Sequence, residues 1–307
     1  MTQALYWATD EYVTALRQMP RKHRASVSRI LKLLGVSRSG YYAWKKHVPS
    51  DSEKRKERIK ERIRDIYKES HQNYGAPKIT RKLHSEGEYI SEKTVGSYMR
   101  QMGLKARWAR HFTHTTIDPD FSAKLANILD EQFNPEVPDT VWVSDITYIW
   151  TDEDGFVYLT SIMDLYSRKI IAWTLSRTLE AVHVAETVEK AKKLREPCGR
   201  LLFHSDRGCQ YVSAAFLATT EGMVNSYSKK AYPWDNACIE SFHALIKREW
   251  LDRYRIKDYG EAYRLVFEYI EAFYNTVRLH SHCGYQSPEQ YEAGYRMSQG
   301  NAVNGGG

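Results

Sequence analysis

The sequence has few cysteines, and no stretch of it is apolar enough to cross a membrane. Its four cysteines lie far apart, and none belongs to a C-x-x-C pair. A disulfide-stabilised scaffold and the common zinc spacings are therefore excluded. No run of about 18 apolar residues occurs, so we expect no membrane span. The N-terminal MTQALYWATDEYV lacks a cationic start followed by an apolar stretch, so we expect no secretory signal. These absences predict a protein of the reducing cytosol.

The chain does have length, apolar content and mixed charge. Its 307 residues leave room for two or three domains. Apolar residues make up 42%, enough to bury a sizeable core, and the 27% of charged residues carry both signs, which argues against wholesale disorder. The net charge of +7 indicates a polyanionic partner only weakly.

The distribution of charge is more informative than its total. Residues 1–118 carry a net charge of +13, whereas residues 119–307 carry −6. The N-terminal third is therefore a basic body, and the remainder is mildly acidic. The densest stretch, SEKRKERIKERIRDIYKES, has alternating signs at helical spacing, so a solvated helix face explains it as well as DNA binding does.

The first third of the chain has the outline of a helix-turn-helix. Apolar residues recur at helical spacing from Val27 to Leu34, Gly35 can end that helix, and Ser37 can cap a second helix over Arg38–Lys46. A charged helix over 51–69 and two further helices follow, the last pair marked by Pro77, Gly87, Ser91 and Gly103. Because this region is so basic, DNA contact is favoured over a purely structural role. The candidate contacts are Arg38, Lys45, Lys78, Arg81 and Lys93.

The middle of the chain has a different pattern, with strands predicted first. Alternating, β-branched segments predict strands over 141–150, 156–164 and 169–176, and the Asp154-Gly155 turn joins the first two. Helices are predicted over 179–194, 213–220 and 237–252, with short strands at 201–206 and 224–228 between them. We therefore divide the chain into a helix-turn-helix segment (1–49), a basic helical DNA-binding region and linker (50–117), a catalytic core (118–260), and a C-terminal helical extension with a disordered tail (261–307).

Three acidic residues stand out on this map. Asp145 lies inside the first strand, Asp206 ends the fourth, and Glu240 lies in the first turn of the late helix. Two-metal phosphoryl transfer needs carboxylates on rigid elements that converge on two cations. Lys247 follows Glu240 by two helical turns and shares its face, where it could approach a phosphate. An equally simple interpretation is that Glu240 and Lys247 are surface charges on an amphipathic helix.

Other polar residues in this region have structural explanations. Asp164 can cap the turn that follows it, and Asp235 can cap the late helix. His204 lies two residues before Asp206, and a buried histidine with its hydrogen bonds satisfied is more plausible there than a substrate contact. The acids in the 152–154 turn are explained by solvation.

Four blocks in this order resemble the catalytic core of insertion-sequence transposases of the IS3 family, the OrfB-type proteins with a retroviral-integrase-like DDE core. The blocks are WVSDITYI, DLYSRKIIAW, FHSDRGCQY and DNACIESFHALIK. The upstream LGVSRSGYYAW and the C-terminal YNTVRLHSHCGYQSPEQY are similar to that family as well, and the resemblance covers about residues 25 to 292.

The resemblance implies an α/β fold: a ribonuclease-H-like (retroviral integrase) core, an N-terminal all-α helix-turn-helix region and a C-terminal helical extension. It implies that Asp145, Asp206 and Glu240 bind two Mg²⁺ ions, for which Mn²⁺ could substitute. By the same resemblance, Lys247 touches the element end. Arg207, with Gly208 and Gln210, shapes the active-site loop beside the DNA.

The activity implied is cleavage of DNA at the element end, followed by attack of the freed 3′-hydroxyl on another strand. The implied partners are element-end and target DNA, a second copy or more of the chain, and a DNA-binding protein from an upstream reading frame. The implied location is the bacterial cytoplasm, at the nucleoid.

Three alternatives remain open at the level of sequence. A ribonuclease-H-like nuclease would share the carboxylates but cleave without joining strands. A DNA-binding regulator would use only the helix-turn-helix. The weakest alternative is a zinc protein, because neither His111 with His114 nor the group His280, His282 and Cys283 is completed by a second pair.

Overall fold

The computed structural model describes residues 2–17, 26–106, 125–229 and 232–304. The chain divides into two compact units, Met1–Arg62 and Ile63–Gly307. The helices are α1 (Thr2–Arg17), α2 (Val27–Leu33), α3 (Arg38–Lys45), α4 (Asp51–Glu69), α5 (Ala76–Ser85), α6 (Glu92–Gln101), α7 (Ala181–Arg195), α8 (Ala214–Thr219), α9 (Ala237–Glu249), α10 (Tyr259–Phe267) and α11 (Pro288–Asn304). The strands are β1 (Val141–Thr151), β2 (Gly155–Asp164), β3 (Ile170–Ser176), β4 (Leu202–Ser205) and β5 (Val224–Tyr227).

The first unit contains the predicted pair of short helices. Gly35 adopts a left-handed conformation after α2, and the Ser37 side chain caps α3 by accepting a hydrogen bond from the Gly40 amide at 3.2 Å. The helix α1, which was not predicted, contributes Tyr6 to a small core with Leu31 and Tyr41. The outline predicted for residues 27–45 is therefore confirmed.

Helices α5 and α6 belong to the second unit. Pro77 occupies the first turn of α5, and Ser91 caps α6 through the Thr94 amide, both as predicted. The segment just before α5 is joined to the far end of the chain, because the Tyr74 hydroxyl accepts a hydrogen bond from the Leu279 amide at 2.7 Å. The start of the α5–α6 pair is thereby fixed to a segment 205 residues further along the chain.

The sheet has five strands in the order β3-β2-β1-β4-β5. Tight turns make β1, β2 and β3 antiparallel neighbours, whereas β4 and β5 follow helices and pair parallel. The order of the strands and helices along the chain was predicted, and the observed pairing places β1 in the centre of the sheet.

Each face of the sheet is covered by its own set of helices. Along β1, Val143 and Ile149 point into a core shared with α9 and α10. Trp142 and Ile146 point to the opposite side, where α7 and α8 pack. Because side chains alternate along a strand, Asp145 lies on the α9 side.

Two buried ion networks tie the outer elements to this sheet. Arg195, at the end of α7, pairs with Asp139 and Glu292 at 2.7 Å and with Asp164 at 3.3 Å. Asp164 also caps its turn, as predicted, by accepting the Tyr166 amide at 2.7 Å. In the second network, Glu249 receives two hydrogen bonds of 2.7 Å from Arg278.

The C-terminal extension is helical, as predicted. Residues Glu268–Tyr274 form a π-helical segment after α10, and α11 runs to Asn304. It therefore includes most of the tail that the sequence predicts to be disordered, because Ala302 and Val303 continue a helix already begun at Pro288. None of the described helices is long and apolar enough to span a membrane.

Candidate active site

The register of the two central parallel strands places two aspartates side by side. The last paired residues of β1 and β4 are Ser144 and Ser205. Asp145 and Asp206 each follow by one residue, so they leave neighbouring strands on the same face, where strands are roughly 4.8 Å apart. The sequence could rank these acids as candidates, but only the pairing shows that they are adjacent in register.

The start of α9 is held against the end of β1. The Asn236 side chain donates a hydrogen bond to the carbonyl oxygen of Ser144 at 3.3 Å. The prediction that Asp235 caps α9 is wrong: its buried carboxylate instead accepts the Lys229 amide at 2.6 Å. Asp235 lies in a 3₁₀ turn before the helix, where it closes the preceding loop. This anchoring brings Glu240, in the first turn of α9, to the side of Asp145.

The carboxyl group of Glu240 is electrostatically crowded. Its partial burial, together with the negative charge of Asp145, raises its pKa to about 7. No hydrogen bond or ion pair of Glu240 occurs within the described ranges. A carboxyl group without a cationic partner next to another carboxylate is a feature of functional sites more often than of stabilising ones.

His243 is a site residue that the sequence analysis missed. It is buried, and its two ring nitrogens contact the Asp145 carboxylate at 3.2 Å and the Ser161 hydroxyl at 3.3 Å. Asp145 and Ser161 are themselves direct partners across β1 and β2. The signal was available in the sequence, because residues three apart on a helix lie on one face and His243 follows Glu240 by three.

Lys247 continues the same face of α9. Its ammonium group lies 4.6 Å from the centre of the Tyr148 ring, a cation–π contact. Burial lowers the pKa of Lys247, while the charges of Asp252 and Asp145 act in the opposite direction. The cation is therefore held near the carboxylates, as the sequence predicts.

The loop after Asp206 is held by its own residues. The Gly208 amide donates to the Asp206 carboxylate at 3.0 Å, and a Cβ at Gly208 would lie only 3.0 Å from that oxygen. Arg207 donates to the carbonyl oxygens of Ser228 at 2.7 Å and Leu125 at 3.2 Å. Its guanidinium is thus engaged within the protein, which favours the loop-shaping role over contact with DNA.

Two buried side chains lie behind the aspartates. The Tyr211 hydroxyl hydrogen-bonds to the Ser144 hydroxyl at 2.9 Å, and burial together with the charges of Asp145 and Asp206 raises its pKa well above the ordinary value. His204 is fully buried and contacts the Ser226 hydroxyl at 2.9 Å. Burial lowers the pKa of His204 to about 4, so it is neutral at pH 7. Its place in the core confirms the predicted burial, but its Nε2 has no hydrogen-bond partner among the described residues, so the prediction that its hydrogen bonds are satisfied is wrong for that atom.

Three regions of the chain match known domain families. Residues 135–233 and 221–288 match integrase core domain families, and residues 54–112 match an HTH-like domain family. Together with the observed strand order, these matches confirm a ribonuclease-H-like α/β core with an N-terminal helical region.

Curated relatives extend the likeness over most of the chain. The transposase InsF of insertion sequence IS3A from Escherichia coli is 34% identical over 277 residues, which span 88% of this chain and 96% of the relative. The transposase of insertion element IS904 from Lactococcus lactis is 35% identical over 80% of this chain and 97% of the relative. The chain belongs to the IS3 family of insertion-sequence transposases. An uncharacterised 31 kDa protein of IS600 from Shigella sonnei is 33% identical over 87% of the transposase and 98% of the relative.

Solved structures show more distant similarity to the transposase. The HTLV-2 integrase catalytic core domain in complex with magnesium has a TM-score of 0.39 and 14% identity, covering 51% of this chain and 97% of that chain. The catalytic domain of Mos1 mariner transposase has a TM-score of 0.36 and 16% identity, covering 44% and 71%. Both scores are low, so the assignment rests on the sequence relatives. Family membership makes the protein a transposase, a polynucleotidyl transferase that acts on DNA.

In the transposase, the described side chains that could bind a metal ion are not gathered into a ready-made metal site. Within the described part of the chain, no three His, Cys, Asp or Glu side chains are close enough together to hold a metal ion as they stand. The donor set still suits a hard cation, since carboxylate oxygens are the ligands that Mg²⁺ prefers. Burial and, to a smaller extent, the charge of Asp145 raise the pKa of Glu240, and a divalent cation would offset both effects.

The zinc alternative finds no support in the C-terminal group. The Cys283 thiol donates to the carbonyl oxygen of Ser167 at 3.1 Å, and His282 contacts the Tyr166 carbonyl at 2.9 Å. Burial, with nearby arginines, lowers the pKa of His280 to about 3. The other pair, His111 and His114, lies outside the described residues.

The candidate DNA contacts of the transposase differ in how available they are. Arg38 is exposed beside the Tyr42 ring, whereas Lys45 forms an ion pair with Asp10. In the second unit, Lys93 is exposed.

Two further candidates lie on α5. Arg81 is exposed, with its guanidinium 4.9 Å from the centre of the Tyr285 ring. Lys78 is half-buried over the Tyr74 ring, and burial together with the charge of Arg278 lowers its pKa to about 7. Lys78 is therefore only partly charged at neutral pH, and it is less exposed than Arg81.

Proposed function

We propose that Asp145, Asp206 and Glu240 hold two Mg²⁺ ions and that the transposase cuts DNA at the element ends and joins the freed 3′-hydroxyl to a second strand. The observation that carries this proposal is the register of β1 and β4, which sets Asp145 beside Asp206 with Glu240 across from them on α9. When bound, two divalent ions stabilise the attacking and leaving oxygens of a phosphodiester.

The protein's own contribution is positioning. His243 holds one oxygen of Asp145, and the Gly208 amide holds one oxygen of Asp206, so both carboxylates are oriented before DNA arrives. Lys247 offers a cation two helical turns from Glu240, where it can contact the phosphate next to the one that is cut. The side chains that support the site from within the core, Tyr211 and Ser161, are buried.

The basic N-terminal third would bind the DNA flanking the cut. We assign residues 1–49 to a helix-turn-helix segment, 50–117 to a basic DNA-binding region, 118–260 to the catalytic core and 261–307 to the extension. Joining two ends requires at least a homodimer, and an upstream-frame protein would add end recognition. Because phosphate contacts release counterions, binding should weaken steeply between 50 and 200 mM salt. Salt-independent binding would contradict this assignment.

The test is joining of labelled element ends by the purified full-length chain. Wild type should join ends with Mg²⁺ or Mn²⁺ but not with EDTA, and Asp145→Asn should lose joining. The exposed Glu221→Gln is the matched control and should behave like wild type. Equal joining by wild type and Asp145→Asn would refute the metal-binding assignment. Metal-dependent cleavage without any joined product would favour a nuclease instead.

A further inference from the structure

Three aromatic side chains are exposed together on the β1–β2 hairpin. Tyr148, Trp150 and Phe156 are 51%, 57% and 48% exposed. Trp150 and Phe156 are direct cross-strand partners with ring centres 4.9 Å apart, and the Tyr148 ring lies 5.4 Å from that of Phe156. Both contacts are edge-on, so the rings support one another. We call these three residues the aromatic platform.

The platform is the uncovered end of an otherwise covered face. Trp142 and Ile146, further back along β1, point to the same side and pack in the core with α7. Beyond Ile146 the same alternation brings Tyr148 and Trp150 into solvent. Exposed aromatic clusters are unusual on protein surfaces that bind nothing.

The edge of β1 brings the platform next to the candidate active site. β4 ends at Ser205, opposite Ser144, so β1 loses its partner on that side at the point where Asp145 follows. The ammonium group of Lys247, on the helix that carries Glu240, lies 4.6 Å from the Tyr148 ring centre. Since seven helical residues span roughly 10 Å, the platform begins about that far from Glu240.

The acidic residues in the hairpin turn next to the platform are balanced by basic partners. The acids of the hairpin turn are each paired: Asp152 with Arg255 at 2.7 Å, Glu153 with Lys257 at 3.5 Å, and Asp154 with Arg177 at 3.6 Å. Lys247 adds a positive charge at the inner end. A surface of exposed rings next to a cation matches the two parts of a nucleotide, a stacking base and a phosphate.

We propose that the aromatic platform binds unpaired nucleotides at a DNA end, stacking their bases on Trp150 and Tyr148 while Lys247 contacts their phosphates. The proposal rests on the proposed function, because it places the platform's DNA beside the carboxylates that cut it. It specifies the substrate form: a duplex whose end is frayed rather than fully paired. Stacking on an aromatic ring tolerates any base, so the platform recognises strand separation rather than sequence.

The experiment compares frayed and blunt ends without chemistry. Fluorescence anisotropy in EDTA would measure binding of the full-length chain to a labelled duplex with three unpaired nucleotides at one end and to the same duplex fully paired. Wild type should bind the frayed end about tenfold more tightly than the blunt end. Removing one stacking ring typically lowers affinity by about that factor. Trp150→Ala should lose that preference while blunt-end binding stays unchanged.

Two control variants test whether the effect comes from loss of folding or from removing any exposed aromatic residue. Trp150→Phe keeps a ring and should retain most of the preference, which separates stacking from loss of folding. Phe267→Ala removes an aromatic residue of similar exposure, 49%, on α10 and should bind both duplexes like wild type. Equal binding of frayed and blunt ends by wild type, or an unchanged preference in Trp150→Ala, would overturn the proposal.

The outcomes also separate this proposal from the general one. If wild type prefers frayed ends but joins no strands with either Mg²⁺ or Mn²⁺, the platform proposal is supported and the proposed function fails. If wild type joins strands but shows no preference for frayed ends, the proposed function is supported and the platform proposal fails. If Trp150→Ala lowers the sedimenting mass and leaves DNA preference unchanged, the platform is instead a contact between two copies of the chain.

Discussion

Helix α9 carries two glutamates with opposite surroundings. Glu249 is buried, accepts two hydrogen bonds of 2.7 Å from Arg278 and one of 2.9 Å from Tyr269, and those partners lower its pKa against the effect of burial. Glu240, nine residues earlier, faces Asp145 instead of a cation, and its pKa is raised to about 7. The same residue type on the same helix is stabilised at one end and electrostatically strained at the other.

The difference separates acids that hold the fold from acids that serve chemistry. Removing the partner of a buried, paired acid should destabilise the protein, whereas removing a crowded acid relieves repulsion between like charges. Activity should show the reverse dependence, because the proposed function assigns cation binding to the crowded acids.

The largest expected effect is on catalysis at Glu240. Glu240→Gln should reduce strand joining by about 10³-fold or more, since losing a metal ligand removes several kcal/mol of transition-state stabilisation. The free energy of unfolding, measured by urea denaturation, should stay the same or rise slightly. If Glu240→Gln joins ends normally, or has a much lower free energy of unfolding, Glu240 does not differ from Glu249 in the way proposed.

The largest effect on stability is expected at Arg278. Arg278→Met should lower the free energy of unfolding by about 3–5 kcal/mol, because it leaves the buried Glu249 carboxylate with only the Tyr269 hydroxyl at 2.9 Å and Arg248 at 3.9 Å as partners among the described residues. The double variant with Glu249→Leu should recover much of that loss in the same urea titration. A single variant as stable as wild type would show that this pair contributes little.

A smaller effect on rate is expected at His243. His243→Phe keeps a buried ring but removes both hydrogen bonds, so Asp145 loses its fixed orientation. The rate of joining should fall about 10- to 100-fold, as for residues that orient metal ligands. The KM for DNA should not change, and more Mg²⁺ should be needed for half-maximal activity. A change in KM alone would assign His243 to DNA binding instead.

The smallest effect is expected at Lys78 and depends on pH. Its pKa is about 7 in the folded protein against 10.5 ordinarily, so the unfolded chain binds more protons between these values. The stability of wild type should therefore rise as pH increases from 7 to 10. Lys78→Met should lack that rise, and the first part of it, from pH 7 to pH 8, should amount to a difference of about 1 kcal/mol in urea unfolding between the two proteins. If the free energies of unfolding of the two proteins change in parallel with pH, Lys78 does not have a lowered pKa in the folded protein.

The sequence was most informative where the structure depends on neighbours along the chain. Periodicity and turn residues predicted the strands around the Asp154-Gly155 turn and the cap at Ser37, because both arise within a few residues. Resemblance predicted the three acids. The capping role expected of Asp235 was wrong, because a contact with Lys229 across the loop outcompeted the local one.

The sequence pattern could not predict contacts between residues that are far apart along the chain. Arg195 contacts acids 31 to 97 residues away, and no local feature of the sequence indicates those pairings. His243 was missed for a different reason. Its spacing from Glu240 was visible, but its significance came from Ser161, which only the pairing of β1 and β2 brings within reach.

The hydrogen bond between Tyr74 and Leu279 has a consequence for the order of events during synthesis. Its two residues are 205 positions apart. A ribosome adding about 5–20 residues per second would need roughly 10–40 s to travel that distance. Throughout that interval α5 and α6 have left the ribosome without the segment that fixes their start. The newly made α5–α6 pair is thus outside the ribosome before the five-stranded sheet and the segment that anchors the pair are complete.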